Sequence, residues 1–270
     1  MKFKNIEDRM LYLRGLTDYK LMPNSYVMVM LDGRSFSSTI KKYFKKPFDD
    51  TFINIMNETA RYLCECIQGC KFAYVQSDEI SLVITDFDTP ETDSFFGYRL
   101  EKILPLCASM ATSKFNQLMI IEAINRTCKE QFSKFELIDI INNIKLHEFD
   151  CKAWNVPSYN DVYTWFLYRQ LDCIRNSKQQ TVRTYLSHKE CTSKKADELI
   201  DILKESTDID WNTFDDGKKY GRFVYKETVH MKSDEYGEFD RDKFVIHSGY
   251  ILNDENNRKI FEKTSKIPIK

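Results

Sequence analysis

The sequence predicts an α+β fold of the ferredoxin-like class, with the element order β-α-β-β-α-β and an appended, mostly helical C-terminal region. Runs rich in β-forming residues occur at 26–31, 72–76 and 80–84, and a further candidate strand at 149–154 would close the sheet. Apolar residues at helical spacing follow the first run and the third. We therefore predict a first domain over 1–154 and a C-terminal region over 155–270 that packs on it.

The first strand is predicted over 26–31 and ends at Asp32-Gly33. An Asp-Gly pair terminates a strand and allows backbone carbonyls to approach a ligand. The following helix is preceded by Asp49 and Asp50, which can cap it, and it carries an apolar stripe that predicts core packing. A second helix is predicted near 98–115, where Pro105 either kinks the helix or marks its start.

The second and third strands are interrupted at Ser77-Asp78-Glu79, which predicts a hairpin with acids at its turn. If this hairpin neighbours the first strand, Asp32 and Asp78 converge. Carboxylate oxygens suit Mg²⁺, which completes its shell with water and substrate phosphate. Two such ions about 4 Å apart can activate an attacking hydroxyl and stabilise the leaving phosphate of an in-line displacement. The two motifs therefore predict a two-metal nucleotidyl transfer site.

Composition sets broad limits on function. The chain has 270 residues and a formal net charge of −1, which excludes a uniformly basic nucleic-acid binder. Between 169 and 195, however, there are seven basic residues against two acids, which indicates either a solvated helix face or an RNA-binding patch. The eight cysteines are scattered and predict a reducing compartment. No signal-like segment or long apolar run is present, so we expect a cytoplasmic protein with no membrane contact.

Three segments in order resemble the tRNA-histidine guanylyltransferase family, most closely its Thg-one-like branch of 3′–5′ polymerases. They are the run 31–36, the Lys46-Pro47 pair with Asp49, and the run 76–81. The resemblance extends from about Asp32 to Asn176. It implies a polymerase/cyclase palm, with two Mg²⁺ ions held by Asp32, Asp78 and the Gly33 carbonyl.

The resemblance also implies residues that bind substrates, with ATP, GTP or other nucleoside triphosphates as the nucleotides. Glu79 is assigned to catalysis with Asp32 and Asp78, either as an acid acting through the metal ligands or as a plain turn residue. Nucleotide binding is assigned to Asp32, Gly33, Arg34, Ser35, Phe36, Ser37, Lys46, Ser77, Asp78, Arg99 and Lys102. Arg99 and Lys102 have the spacing that places both on one helix face.

The chain departs from the family after the segment Tyr168-Arg-Gln-Leu-Asp-Cys173. The family carries a His-Ile-Asn-Asn-Leu-Tyr-Asn run there, tied to tRNA-histidine maturation, whereas this chain has Ile-Arg-Asn-Ser-Lys-Gln-Gln over 174–180. The loss of the histidine favours the branch that repairs RNA 5′ ends by template-dependent 3′–5′ addition after ATP activates the 5′ phosphate. RNA contacts are predicted at Arg169, Arg175, Asn176 and Lys178.

Three alternatives remain open from the sequence. The chain could be a tRNA-His guanylyltransferase proper, or a nucleotidyl cyclase, since a palm with two strand-end acids serves both. A non-enzymatic RNA-binding module is the third, although such a module has no use for two strand-end aspartates. The substrate is expected to be tRNA or another structured RNA. The resemblance further implies a homotetramer, and we expect the region 155–270 to serve RNA recognition and oligomerisation.

Overall fold

A computed structural model describes residues 2–36, 43–127, 138, 141–191, 194–233 and 237–269. At its centre lies a six-stranded antiparallel sheet in the order β4-β1-β3-β2-β5-β6. The strands are β1 (Tyr26–Gly33), β2 (Cys70–Gln76), β3 (Glu79–Ile84), β4 (Phe149–Val156), β5 (Arg222–Ser233) and β6 (Gly237–Ser248).

The first four strands and their two crossover helices confirm the predicted ferredoxin-like order. Helix α2 (Asp50–Cys66) connects β1 to β2, and helix α3 (Leu100–Thr127) connects β3 to β4. Because each connection skips one strand, the spatial order becomes β4-β1-β3-β2. Asp49 caps α2 as predicted, since its carboxylate accepts from the amides of Thr51 and Phe52.

The central strands β1, β2 and β3 are buried on both faces, which explains why they are apolar almost throughout. Val27, Val29 and Leu31 of β1 point into a core with α2 and α3. Tyr26 and Met28 point to the other face, where they join a core with helix α4 (Tyr159–Tyr185). Every second residue of β1 therefore lies under α4, and Asp32 is on the same face of the strand as Tyr26 and Met28.

The remaining elements surround this framework. Helix α1 (Ile6–Gly15) precedes β1 and buries none of its residues. The C-terminal region adds α5 (His188–Cys191), α6 (Ala196–Ser206), α7 (Asp216–Tyr220) and α8 (Glu255–Thr264). Among the described residues, no helix combines the length and apolar character needed to cross a membrane.

Two elements differ from the sequence prediction. The short strands predicted near 220–226 and 244–246 are the inner parts of two long strands, and β5 pairs with β2, so the C-terminal region continues the central sheet. Helix α3 extends over 28 residues with Pro105 inside it. Pro105 occupies the sixth helical position, beyond the first turn, so the helix forgoes the hydrogen bond that an amide there would donate to the Glu101 carbonyl. The boundary at 154/155 stays a prediction.

Candidate active site

The two sequence motifs meet at one end of the sheet. Asp32 of β1 lies opposite Glu79 of β3 and also opposite Asp150 of β4. The amide of Gly33 donates to the Asp78 carbonyl at 3.1 Å, which ties the end of β1 to the β2–β3 turn. The expectation that the two strands are neighbours is therefore confirmed, and three aspartates gather at this edge.

The β2–β3 connection is a tight turn of two residues, Ser77 and Asp78, between the paired residues Gln76 and Glu79. Ser77 has φ = +44°, a left-handed conformation that costs a non-glycine residue about 1 kcal/mol. The Ser77 side chain hydrogen-bonds to Asp78 and so favours the ionised carboxylate. The turn therefore holds Asp78 at the strand end at some cost in backbone strain.

The carboxylates repel one another. Burial, followed by the charge of Asp32, raises the pKa of Asp78 to about 6. Desolvation, followed by the charge of Asp150, raises the pKa of Asp32, while Arg169 and Lys152 oppose this rise. A divalent cation would relieve this repulsion.

The available donors fit Mg²⁺ because they are hard oxygen atoms from two carboxylates and a backbone carbonyl. Within the described ranges, no three or more His, Cys, Asp or Glu side chains are arranged to hold a metal by themselves. Mg²⁺ does not need such a cage, since it is usually bound by one or two carboxylates together with water and substrate phosphates. Asp32, Asp78 and the Gly33 carbonyl are therefore the groups that would hold it.

Glu79 is held in a buried ion pair with Arg169. The Arg169 Nε donates to Glu79 Oε1 at 2.7 Å, a terminal nitrogen donates to Oε2, and the same nitrogen donates to Asp172 at 3.1 Å. The Arg169 side chain is 11% exposed and that of Glu79 8%. This guanidinium therefore already has two carboxylate partners inside the protein, and the RNA contact at Arg169 stays a prediction.

A cavity of about 610 Å³ opens beside the two strand ends. Asp32, Asp78 and Glu79 form one wall, residues 44–49 form another, and the second half of α4 forms a third. Lys45, Lys46 and Arg183 line it and are exposed. In the part of the chain that the structure describes, none of these three cations has an ion-pair partner. The cavity therefore combines carboxylates with unpaired positive charge, as a site for a metal-bound triphosphate requires.

One face of α4 lines this cavity with polar groups. Asn176, Gln180 and Arg183 follow one another at three- or four-residue spacing, and all three line the cavity. Arg175 instead pairs with Asp172, and its side chain is 64% exposed. Lys178 pairs with Asp197 at 2.5 Å and lies over the Trp211 ring. Of the four predicted RNA contacts, the structure therefore brings only Asn176 and Arg169 to the cavity, the latter already paired.

The segment that follows β1 has mixed surroundings. Arg34 is exposed and pairs with Glu148 at 3.0 Å. Phe36 is 1% exposed and packs against Phe115 and Phe149, so its ring belongs to the core and does not face a nucleotide. Ser35 has φ = +59°, which turns the chain between these two environments. Ser37 lies outside the described residues.

Arg99 and Lys102 lie at the opposite end of the sheet from the carboxylates. The amide of Leu100 donates to the Tyr19 carbonyl, and Tyr19 precedes β1, whereas Asp32 lies at the far end of that strand. At about 3.3 Å per residue, the six residues of β3 alone separate the two ends by about 17 Å. Within one chain these two cations therefore lie far from the carboxylates, and their assignment to nucleotide binding stays a prediction.

Several site residues escaped the sequence prediction. Asp150 was not assigned to the site, although the predicted ferredoxin-like order already places β4 beside β1 and so brings Asp150 opposite Asp32. Arg183 could have been found by following the helical spacing from Arg169 through Asn176. Arg222 lines the cavity although it is 6% exposed, and its Nε donates to Asn57 at 2.9 Å.

Comparisons with known proteins agree with this geometry. Residues 8–157 match the family model described as tRNAHis guanylyltransferase. A solved bacterial tRNA(His) guanylyltransferase (Thg1)-like protein, in complex with ATP, superposes with a TM-score of 0.78 at 30% identity, covering 96% of this chain and 98% of that one. Its counterpart in complex with GTP gives 0.73 at 28%, covering 97% and 99%.

Curated relatives show the same similarity at lower coverage. Protein R259 of Acanthamoeba polyphaga mimivirus is 28% identical over 83% of this chain and 78% of its own length. tRNA(His) guanylyltransferase 1 of Arabidopsis thaliana is 27% identical over 82% of this chain but only 38% of its own length. This chain therefore spans less than half of the plant protein.

Proposed function

The chain belongs to the tRNAHis guanylyltransferase family of nucleotidyltransferases, and from this premise we propose that it adds nucleotides in the 3′–5′ direction to the 5′ end of tRNA or another structured RNA. Template pairing, rather than the protein, would choose the added base. The bacterial relatives in complex with ATP and GTP support nucleoside triphosphates as the substrates.

The observation that carries the proposal is the meeting of Asp32 and Asp78 at one wall of a cavity that also holds unpaired cations. Lys45, Lys46 and Arg183 would bind the triphosphate oxygens. The Arg169–Glu79 pair would fix the strand end on which Asp78 sits. Two Mg²⁺ ions bound by Asp32, Asp78 and the Gly33 carbonyl would supply activation of the attacking hydroxyl and stabilisation of the leaving phosphate.

The reaction would proceed in two phosphoryl transfers. The RNA 5′-monophosphate first attacks the α-phosphate of ATP, which releases pyrophosphate and leaves an adenylylated 5′ end. The 3′-hydroxyl of the incoming nucleotide then attacks that activated phosphate and releases AMP. Neither transfer requires a covalent enzyme intermediate, since positioning and charge stabilisation are sufficient.

The segment 174–180 supports templated repair over tRNA-His guanylylation. In this chain it forms part of α4, and Asn176, Ser177 and Gln180 from it line the cavity next to the carboxylates. It is also the segment in which the histidine-containing run that the family ties to tRNA-His maturation is missing. A change of residues at this wall alters what the cavity can recognise. The named plant relative nevertheless makes guanylylation of tRNA-His the second candidate.

The test is a 5′-extension assay. A monophosphorylated tRNA lacking its first nucleotide is incubated with ATP, the four nucleoside triphosphates and Mg²⁺, with an intact tRNA-His in a parallel reaction. Template-matched addition to the truncated tRNA supports repair, whereas guanosine addition to tRNA-His alone supports the second candidate. A cyclic nucleotide as the product would refute both.

Two variants connect the assay to the site. Asp78→Asn should abolish addition while leaving the unfolding transition near that of the wild type, because Asp78 is a turn residue rather than core. Asp208→Asn is the matched control, since Asp208 is exposed in a loop away from the sheet. Addition by Asp78→Asn at the wild-type rate would refute the proposed site.

A further inference from the structure

The carboxylates can be reached from a second side, away from the cavity. Asp32 is exposed, and its partner Asp150 belongs to β4, which forms one edge of the sheet. On β4, Asp150, Lys152 and Trp154 alternate with core-facing residues and therefore share the face that Asp32 occupies. Asp150 and Lys152 are both exposed. Helix α4 thus separates the cavity on one side from an uncovered part of the sheet on the other.

An aromatic row leads along this uncovered face. Trp154 and Trp165 pack edge to face with their ring centres 4.6 Å apart, and Trp165 contacts Tyr168 at 5.8 Å. The guanidinium of Arg169 lies 5.2 Å from the Tyr168 ring centre. Tyr168 is nevertheless 56% exposed. Trp165 and Arg169 therefore hold the Tyr168 ring in place while much of the ring faces solvent. Tyr168 directly precedes Arg169, the arginine that pairs with Glu79.

A cation completes this surface. Lys152 lies opposite Met30, two residues before Asp32 on β1, so it is near the reacting end of the strand. Among the described residues, no carboxylate lies within ion-pair distance of Lys152. An unpaired lysine on the same face as an exposed aromatic ring is the combination by which proteins bind single-stranded nucleic acid, with the ring stacking on a base and the lysine contacting phosphate.

We propose that this open face, formed by Asp150, Lys152, Trp154, Trp165 and Tyr168, binds the 5′ end of the RNA. The terminal base stacks on Tyr168, and Lys152 contacts the backbone phosphate next to it. The inference rests on the proposed function. In a transfer between an RNA end and a nucleoside triphosphate, both substrates must reach the same pair of carboxylates, so the site needs two routes of approach. The cavity, with Lys45, Lys46 and Arg183, provides the approach for the triphosphate, and the open face provides the other.

Stacking also suits a template-directed reaction. Every base has a π face, so a stacking contact tolerates all four bases and leaves their hydrogen-bonding edges to the template strand. The open face therefore holds the RNA end without selecting the nucleotide that is added.

The test measures binding without turnover. An RNA hairpin with a 5′-monophosphate carries the fluorescent base 2-aminopurine as its 5′-terminal nucleotide, and neither ATP nor Mg²⁺ is added. Stacking on Tyr168 quenches the probe. Tyr168→Ala should abolish the quench and raise the RNA Kd about 10-fold, while Tyr168→Trp should retain both. Lys152→Gln should reduce the slope of log Kd against log salt by about one.

Controls separate stacking from damage to the fold. Tyr19→Ala removes a tyrosine that is 67% exposed near the opposite end of the sheet, and it should leave both quench and Kd unchanged. ATP affinity of Tyr168→Ala, measured by calorimetry in the presence of Mg²⁺, should stay within about twofold of wild type. Thermal unfolding confirms that each variant is folded.

The outcomes distinguish failure of the open-face proposal from failure of the proposed function. Suppose that the wild-type protein performs template-matched addition, but Tyr168→Ala still quenches the probe and binds RNA within about twofold of wild type. This result would overturn the proposed role of the open face and leave the proposed function standing. A wild-type protein that binds ATP but no RNA overturns the open face and the proposed function together. Loss of quench confined to Tyr168→Ala, with normal ATP binding, supports the open face.

Discussion

Removing Arg169 from its ion pair with Glu79 should destabilise the protein strongly, in contrast to breaking an ion pair on the surface. Arg169→Met leaves Glu79, 8% exposed, without its cation, and Asp172, 17% exposed, with only Arg175. Leaving one member of a buried pair uncompensated costs about 3–5 kcal/mol of unfolding free energy. For a chain of this size, about 2–3 °C per kcal/mol gives a fall in Tm of about 6–15 °C.

A double-mutant cycle isolates the pair. Glu79→Met should also destabilise, by somewhat less, because Arg169 retains Asp172 at 3.1 Å. The double variant Glu79→Met/Arg169→Met removes both charges and replaces them with apolar groups, so it should be more stable than Arg169→Met. The coupling between the two positions should reach about 3 kcal/mol. Urea unfolding followed by far-ultraviolet dichroism and by tryptophan fluorescence measures each free energy.

A surface pair provides the matched control. Arg258 and Glu262 pair at 3.1 Å on α8 with side chains 40% and 34% exposed, and their cycle should give about 0.3–0.5 kcal/mol. The pKa of Arg169 agrees with this contrast, because burial lowers it but the hydrogen bonds and charge of Glu79 outweigh burial and raise it overall. A coupling below about 1 kcal/mol for Arg169 and Glu79 would refute the reasoning, since the pair would then behave as a surface pair.

Three further predictions concern neighbouring residues. Gly33→Ala would place a Cβ 2.5 Å from the buried Phe36 ring, so it should cost about 1–3 kcal/mol in urea unfolding, and Gly33→Ala/Phe36→Leu should recover part of that loss. Lys46→Ala and Arg183→Ala should each raise the ATP Kd about 10-fold in calorimetry because each removes a charged phosphate contact, whereas Lys178→Ala, already paired with Asp197, should change it less than about twofold. Arg99→Ala/Lys102→Ala should leave the ATP Kd of an isolated chain unchanged, and a 10-fold rise would show that these cations reach the site after all.

The sequence predicted the parts of the site that are local. Asp32-Gly33 and Ser77-Asp78 lie at strand ends because chain-breaking residues interrupt apolar runs, and this signal needs no tertiary information. The β-α-β-β-α-β order then brought the two ends together, since a split β-α-β unit places β1 beside β3. The convergence of Asp32 and Asp78 was therefore within reach of pattern analysis.

The partners of the side chains and the distances along the sheet could not be predicted from the sequence. A run of basic residues looks the same whether its arginines are free or paired, and only the packing of α4 over β3 shows that Arg169 is occupied by Glu79. Phe36 follows the first motif directly, but a positive φ at Ser35 turns its ring into the core. Lys102 lies in the first turn of α3, but Arg99 is an extended residue just before that helix, so the two do not share a helix face as predicted, and the preceding strand had already carried the chain to the other end of the sheet.

Helix α4 borders both the cavity and the open face, which are the two proposed routes to the carboxylates. Arg169 anchors it to the strand end, Asn176 and Arg183 face the cavity, and Tyr168 faces the uncovered sheet near β4. A substitution on one side of the helix should therefore affect one substrate and spare the other, whereas a change at Arg169 should affect both because it shifts the whole wall. This difference distinguishes two roles for Arg169. If Arg169 positions α4, its substitution should weaken the binding of both RNA and ATP. If Arg169 contacts RNA directly, its substitution should weaken RNA binding and leave ATP binding unchanged.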